Sequence, residues 1–362
     1  MTSISTLTEQ CTVKPELFNA NLLSWYDKHR RDLPWRTKPD ETPDPYRVWL
    51  SEIMLQQTTV AAVIPYFHKF IDKWPTVQSL ADAPNEEIMS YWAGLGYYAR
   101  ARNLHKCAKV ITDEFKGVFP DNYKDLKSLA GIGDYTASAI TAIAFNKPAN
   151  VVDGNVERVM ARLHTVDTPL PSGKAVLKKH AEEHAHHAHG RHGDYAQALM
   201  DLGATICTPK SPKCSMCPVQ KHCKAYIQEN QEDYPKKSPK QLKPTRYGYV
   251  YWVTMPNGNV LIHNRPTSGL LGGMTGLPTS DWKTDKSTVE HLGIFNKAYI
   301  PDNEVTKIKH VFTHFNLYLS LHRIQTDTFK PPENYKWIEQ DKIPNIGLPS
   351  VFSKARSFIL GK

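Results

Sequence analysis

The stretch CTPKSPKCSMCPVQKHC, residues 207–223, holds four of the chain's six cysteines, spaced Cys207-x6-Cys214-x2-Cys217-x5-Cys223. Cysteines crowded in this way can pair as disulfides, hold a tetrahedral zinc ion or hold an iron–sulfur cluster. Softness does not separate zinc from iron–sulfur. Gaps of six and five residues around a single C-x2-C pair match neither the paired knuckles of a zinc ribbon nor the common ferredoxin spacings. Four sulfur ligands would leave either group closed to substrate, which argues for a brace rather than a reaction centre.

Two carboxylates are better suited to chemistry. Glu52, in YRVWLSEIMLQQT, follows Val48 by four residues and Trp49 by three, so on a helix it falls on the apolar face. Desolvation there raises a carboxyl pKa and suits it to carry a proton as a general acid. The plainer account is a boundary glutamate paired with Arg47. Asp153, in VVDGNVERV, precedes a helical run and reads as an N-cap, kept ionised by backbone N–H groups and the helix dipole. A purely structural cap has the same signature. A proton donor and a fixed negative charge together are what cleavage of a glycosidic bond through a cationic transition state demands.

The elements that must position these groups are legible in the periodicity. Residues 15–225 read as short helices, with apolar residues recurring at three and four and Pro, Gly or Asn at the ends. From 227 to 246 the chain, IQENQEDYPKKSPKQLKPTR, carries three prolines and five Lys or Arg and reads as a linker. Beyond it the period changes to two: RYGYVYWVTM-PNGN-VLIHN is strand, Asn-Gly turn, strand, and HVFTHFNLYLSLHRIQ alternates in the same way. The expected organisation is a mostly α domain over 1–226, a linker over 227–246 and an α+β domain over 247–362. A net charge of +9 and a pI near 9.0 favour an anionic partner. No apolar run reaches membrane-spanning length, and the first residues lack the apolar core of a signal peptide and the arginines of a transit peptide. A soluble cytoplasmic protein is expected.

LAGIGDYTASAI, residues 129–140, sets Gly131 and Gly133 between two helical patterns. Glycines permit a tight turn and close backbone approach, and the following helix N-terminus offers free N–H groups to an anion. This is the helix-hairpin-helix way of gripping a DNA phosphate without reading sequence, although an ordinary interhelical turn looks much the same. The segment HAEEHAHHAHGRH, residues 180–192, contains six histidines. His180 and His184 could share a helix face. The alanine-rich, acidic setting predicts a solvated helix end with adventitious nickel or zinc affinity at most.

The cysteine spacing resembles the [4Fe–4S] loop of the endonuclease III superfamily of DNA glycosylases. The order of hairpin, VVDGNVERV and cysteine loop agrees, with Ala130 where that superfamily usually has proline. PYRVWLSEIMLQQTTVAAVIPYF, WAGLGYYARARNLH and DYAQALMDLGATIC narrow the resemblance to the adenine DNA glycosylases, the MutY family. The resemblance implies a helix-hairpin-helix catalytic domain with a [4Fe–4S] loop and a Nudix-like lesion-recognition domain. The cluster would sit on Cys207, Cys214, Cys217 and Cys223, with Lys210, Lys213, Lys221 and Lys224 free for phosphates. It implies double-stranded DNA as partner, with adenine opposite 8-oxoguanine or guanine flipped out of the stack. Glu52 would protonate N7, Asp153 stabilise the oxocarbenium ion, and Tyr135 and Asn155 support the sugar and Asp153. Gly131, Gly133, Gln57, Thr58, Leu95 and Tyr97 would contact DNA, with Tyr97 as a stacking wedge. The family's Phe-Ser-His lesion loop corresponds to Phe312-Thr313-His314, which keeps the hydroxyl; Val311 and Phe315 are expected to pack. RPTSGLLGGMTGLP departs from the family's Trp-Glu form of that segment.

Superfamily members that also cut the backbone have a lysine two residues after the hairpin's last glycine. Here that position is Tyr135, which cannot form a Schiff base. The expected enzyme is monofunctional, leaves an abasic site and acts as a monomer, associated with the nucleoid when bound to DNA. The rival readings are a thymine or uracil mismatch glycosylase, a non-catalytic iron–sulfur DNA-binding sensor and, weakest, a diphosphate hydrolase, whose glutamate-rich helix is absent from the sequence.

Overall fold

The structure, a computed structural model, describes residues 14–39, 41–239, 242–266, 269–295 and 304–361. Thr267 and Ser268 of the RPTSGLLGGMTGLP segment lie outside the described residues. Two compact units emerge: Met1–Asp82 with Asn103–Pro239, and Ala83–Arg102 with Lys240–Lys362. The segment 83–102 thus groups by contact with residues 240–362, although in sequence it lies within 1–226.

The first unit is helical. The helices that matter below are α1 (Pro15–His29), α2 (Pro45–Leu55), α3 (Tyr123–Ser128), α4 (Asp134–Phe145), α5 (Gly154–His164), α6 (Lys174–Ala185) and α7 (His192–Thr205). Proline opens α1 and α2, where its missing N–H costs nothing. Asp44 caps α2 by accepting from the Tyr46 N–H. Every residue of α2 from Val48 to Met54 is buried, as is α4 from Thr136 to Ala142, so these two are central helices without a wet face. A second core joins Phe18, Leu22 and Tyr26 of α1 to Val156 and Met160 of α5 and Leu199 of α7, with Cys207, Cys217 and Cys223 packed against it.

The histidine segment departs from expectation. His184 is buried, because Leu177, Ala181 and His184 recur along the face of α6 that packs on α1 and α5. Its Nε2 lies 3.1 Å from His164 Nε2, and His180 stacks on the His164 ring at 3.9 Å. Burial pushes His164 down to about 3 and His184 to about 4. One face of this end of α6 is therefore core, while Glu182, Glu183 and His186 on the other remain exposed.

The second unit is a mixed sheet: β1 (Thr245–Thr254), β2 (Val260–Asn264), β3 (Thr275–Gly276), β4 (Thr306–Val311), β5 (Asn316–Gln325) and β6 (Tyr335–Ile338). The order is β3-β2-β1-β5-β4, with β6 also on β2. Strands β1 and β5 pair in parallel from Thr245↔Asn316 to Thr254↔Gln325. Val250, Tyr251, Trp252 and Val253 are all buried, because both faces of β1 are covered. Val250 and Trp252 join Leu317, Leu319 and Phe352 of the terminal helix α8 (Ser350–Leu360) on one face; Tyr251, Val253 and Phe295 pack on the other. HVFTHF is not one continuous strand. It is the end of β4 and a turn into β5, closed by Phe312 N–H to Phe315 O at 2.9 Å. Phe315 is buried as expected, but Val311 is exposed, because it stands on the outer face of the β4 edge strand.

Candidate active site

Glu52 sits in α2 with 6% of its surface exposed. Arg47 does not pair with it; that guanidinium donates to Pro34 O at 2.9 Å and lies over the Phe67 ring. Glu52 Oε2 is buried with no hydrogen-bond partner among the described residues. Burial raises its carboxyl to about 7; Asp153 adds to the rise, while the Tyr135 hydroxyl and Arg36 oppose it. A carboxyl so placed is protonated near neutrality yet able to give its proton away.

Asp153 caps α5. Its Oδ1 accepts from the Asn155 and Val156 N–H groups at 2.9 and 2.8 Å, and its Oδ2 accepts from Asn155 Nδ2 at 2.8 Å. Three donors fix the position and aim of this carboxylate at the helix N-terminus. Asn155 is held in turn: its Oδ1 accepts from Arg158 Nη2 at 2.8 Å, and Arg158 also donates to Gly203 O and Cys207 O, each at 2.7 Å. Gly203 lets α7 come this close, since a Cβ there would stand 2.5 Å from Asn155 Cβ. A line of hydrogen bonds therefore runs from the first cysteine of the loop to Asp153.

Glu52, Asp153, Tyr135 and Asn155 meet at one cavity of ≈ 420 Å³, which Gln57 and Thr58 also line. Such a volume suits a base-sized ligand. The Tyr135 hydroxyl donates to Met200 Sδ at 3.5 Å, and burial, with the charges of Glu52 and Asp153, raises it well above its ordinary value. Arg31, Trp35, Arg36, Gln197 and Met200 complete the walls. Their signal in the sequence is weak: Gln197 and Met200 fall on one face of the segment DYAQALMDLGATIC, and Arg31 and Arg36 lie within RRDLPWR.

The hairpin is α3, the turn 129–133 and α4. Gly131 has φ +79°, and a Cβ there would come within 2.8 Å of Asn103 Cβ. Gly133 is the N-cap of α4, faces open space and leaves the first N–H groups uncovered by any cap side chain. Asp134 is tied back to Lys127 at 2.5 Å and to the Tyr123 hydroxyl at 2.6 Å. In the second unit Leu95 is buried, whereas the Tyr97 ring is half exposed at φ +48°. The Tyr97 hydroxyl lies 3.3 Å from Thr313 Oγ1. Thr313 and His314 are exposed at the β4–β5 tip, while Phe312 packs on Trp282 and Phe315.

Cys207, Cys214, Cys217 and Cys223 lie in the loop that follows α7, carried on two short 3-10 turns. Arg162 donates to Cys207 Sγ at 3.3 Å and to Thr208 O at 2.8 Å. Burial first, and the neighbouring thiols after it, push Cys217 up to about 12 and Cys223 to about 11. Among the described residues no three His, Cys, Asp or Glu side chains converge on a single-ion site. Four thiol donors with no oxygen or nitrogen ligand among them fit an iron–sulfur cluster.

Three family models match the chain: the HhH-GPD superfamily of base excision DNA repair proteins over residues 50–184, the iron–sulfur binding domain of endonuclease III over 207–223, and the NUDIX domain over 249–357. The human adenine DNA glycosylase is 32% identical over 93% of this chain and 73% of its own length. That of Buchnera aphidicola subsp. Schizaphis graminum is 35% identical over 93% of this chain and 97% of its own length. The chain belongs to the adenine DNA glycosylase family. Its likeness to a solved thermostable thymine-DNA glycosylase (TM-score 0.51, 29% identity) accounts for 99% of that chain but only 61% of this one. The adenine glycosylases extend across the second unit as well, and this separates the two branches. Family membership carries the iron–sulfur loop and the base-excision chemistry with it. No described helix is long and apolar enough to cross a membrane.

Proposed function

We propose that this protein hydrolyses the N-glycosidic bond of adenine mispaired with 8-oxoguanine or guanine in double-stranded DNA and leaves an abasic site. It works as a monomer in the cytoplasm, on the nucleoid when bound to DNA. The observation that carries the reading is Glu52: a buried carboxyl with an unpartnered oxygen, raised to about 7, opening on a cavity beside a triply bonded Asp153. The free N–H groups at the start of α4 hold a phosphate. Glu52 gives its proton to N7 of the flipped adenine. The C1′–N9 bond then breaks with its electron pair leaving on the base, and Asp153 offsets the charge on the sugar. Asn155 keeps Asp153 aimed, Tyr135 supports the sugar, and water adds at C1′. Thr313 and His314 meet the oxidised guanine, and the Tyr97 ring replaces lost stacking. Bound at its four cysteines, the cluster supplies a redox-capable but coordinatively closed brace for the loop.

Duplexes with A opposite 8-oxoguanine, A opposite G and T opposite G test this. Adenine release from the first two, with strand breaks only after alkali, is the expected result. Thymine release alone would place the protein with the mismatch glycosylases, and tight binding without release would make it a sensor.

A further inference from the structure

Asp201, on α7, is a carboxylate with no solvent exposure. Arg36 grips it with both ends of its fork, Nη1 to Oδ2 at 2.6 Å and Nη2 to Oδ1 at 2.7 Å. Arg31 adds Nε to Oδ1 at 2.5 Å and its backbone N–H to Oδ2 at 3.1 Å. One negative charge thus faces two positive ones, and both arginines line the cavity that holds Glu52. The Arg36 side chain is only 5% exposed. A guanidinium keeps its protons in a protein, so Arg36 is a fixed charge and not a proton donor. The groups that act on Glu52 are the Tyr135 hydroxyl from α4, Asp153 from the start of α5 and Arg36 from the turn before α2. Arg36 is the cation among them.

We propose that Asp201 is a positioning residue for proton delivery: it holds Arg36 beside Glu52, where the guanidinium stabilises the carboxylate that Glu52 becomes as its proton leaves. The inference rests on the glycosylase reading above. In the step, the Glu52 O–H bond breaks, its electron pair stays on Glu52, the proton bonds to the base nitrogen and Arg36 loses nothing. The proton released when water adds to the sugar restores Glu52. Without Asp201 a buried guanidinium lacks its counterion, which is costly, and Arg36 turns towards solvent.

The experiment uses the full-length, cluster-containing protein and a duplex with A opposite 8-oxoguanine. Single-turnover rates are measured against pH for the wild type, Asp201→Asn, Asp201→Glu and Arg36→Gln, with the duplex KM from steady state. Asp201→Asn and Arg36→Gln should each lower the plateau rate about tenfold and move the alkaline limb up by about one unit. KM should stay within about twofold, and Asp201→Glu should recover most of the loss. Adenine excision with an unmoved limb in both variants would make Asp201 a structural brace only and overturn the inference alone. If Asp201→Asn fails to fold, Arg36→Gln, which leaves Asp201 bonded to Arg31, decides the matter by itself. A wild type that releases no adenine overturns the glycosylase reading and this inference together.

Discussion

The cavity around Glu52 and the hairpin tip at Phe312–His314 handle polar chemistry in opposite ways. The cavity buries its acid, caps its aspartate three times and backs Asn155 with a buried arginine. The tip leaves Thr313 and His314 in solvent and secures the turn through Phe312, which packs on Trp282 while its carbonyl accepts from Lys243 Nζ at 3.0 Å. The contrast matches what the proposed function asks of each. Moving a proton and stabilising a cation need low dielectric and fixed charge, which only burial supplies. Reading a damaged base needs donors that DNA can reach, and these must stand exposed. Damage to the cavity should therefore abolish turnover, while damage to the tip should only blunt discrimination.

The strongest test of that contrast is Asp153→Asn or Glu52→Gln. Each should slow single-turnover excision about a thousandfold while lesion DNA still binds, because charge or proton is lost without shape. Near-normal turnover in either would break the comparison. The wild-type rate should also fall as pH rises through about 7, since Glu52 must be protonated to act. The fall should approach tenfold per unit above that pH, and Glu52→Gln should show no such limb.

Glu52 sharpens the comparison through stability as well. Its folded-state carboxyl lies near 7 against an ordinary 4.5. A raised folded value means the contribution is full below the ordinary value and is lost as pH climbs through the folded one. At pH 8 Glu52→Gln should therefore be more stable than wild type by on the order of 2–3 kcal/mol, read from urea or thermal unfolding. Equal stability at pH 8 would mean the carboxyl is not desolvated.

The hairpin gives a smaller effect. Gly131→Ala should cost about 1–2 kcal/mol in folding, through its positive φ and the approach to Asn103, and weaken binding to matched and lesion duplexes alike. Gly133→Ala, at ordinary φ and in open space, should fold with a change within about 0.5 kcal/mol. Smallest is Thr313→Ala, which should lower the preference for A opposite 8-oxoguanine over A opposite G about fivefold, near 1 kcal/mol. Its single-turnover rate on the better substrate should hold, and Thr313→Ser should stay within about twofold of wild type. A thousandfold loss at Thr313 would erase the distinction between tip and cavity.

Several of these features are local and could be read along the chain. Glu52 falls on an apolar helix face because Val48, Trp49 and Ile53 surround it at helical spacing. Asp153 before a helical run is a cap signal, and Gly131 marks a turn that needs positive φ. The change of period at β1 comes from alternation, whereas composition alone hides that residues 231–238 of the expected linker bond to the first unit, with Tyr234 buried in its core. The burial of His184 is hidden by a histidine-rich, acidic neighbourhood that looks solvated, and the spacing Leu177-Ala181-His184 that buries it gains meaning only once α6 has a partner. HVFTHF read as one strand because alternation continues through a turn held by a single backbone bond.

The sequence by itself determined the chemistry of the parts: four soft ligands at one spacing, an acid on an apolar face, an anion at a helix start, and a tyrosine where a Schiff-base lysine would stand. These are short-range patterns, and helix period and capping rules act over a few residues. Only the tertiary structure decided that Glu52 faces Asp153 and Arg36 rather than Arg47, that Gly203 lets α7 meet Asn155, that Leu95 is buried while Tyr97 is not, and that Asp201 ties Arg31 and Arg36 into the same wall. Those pairings join residues up to about 170 positions apart. They depend on how the helices pack, and desolvation, which gives Glu52 its working pKa, arises only when they do.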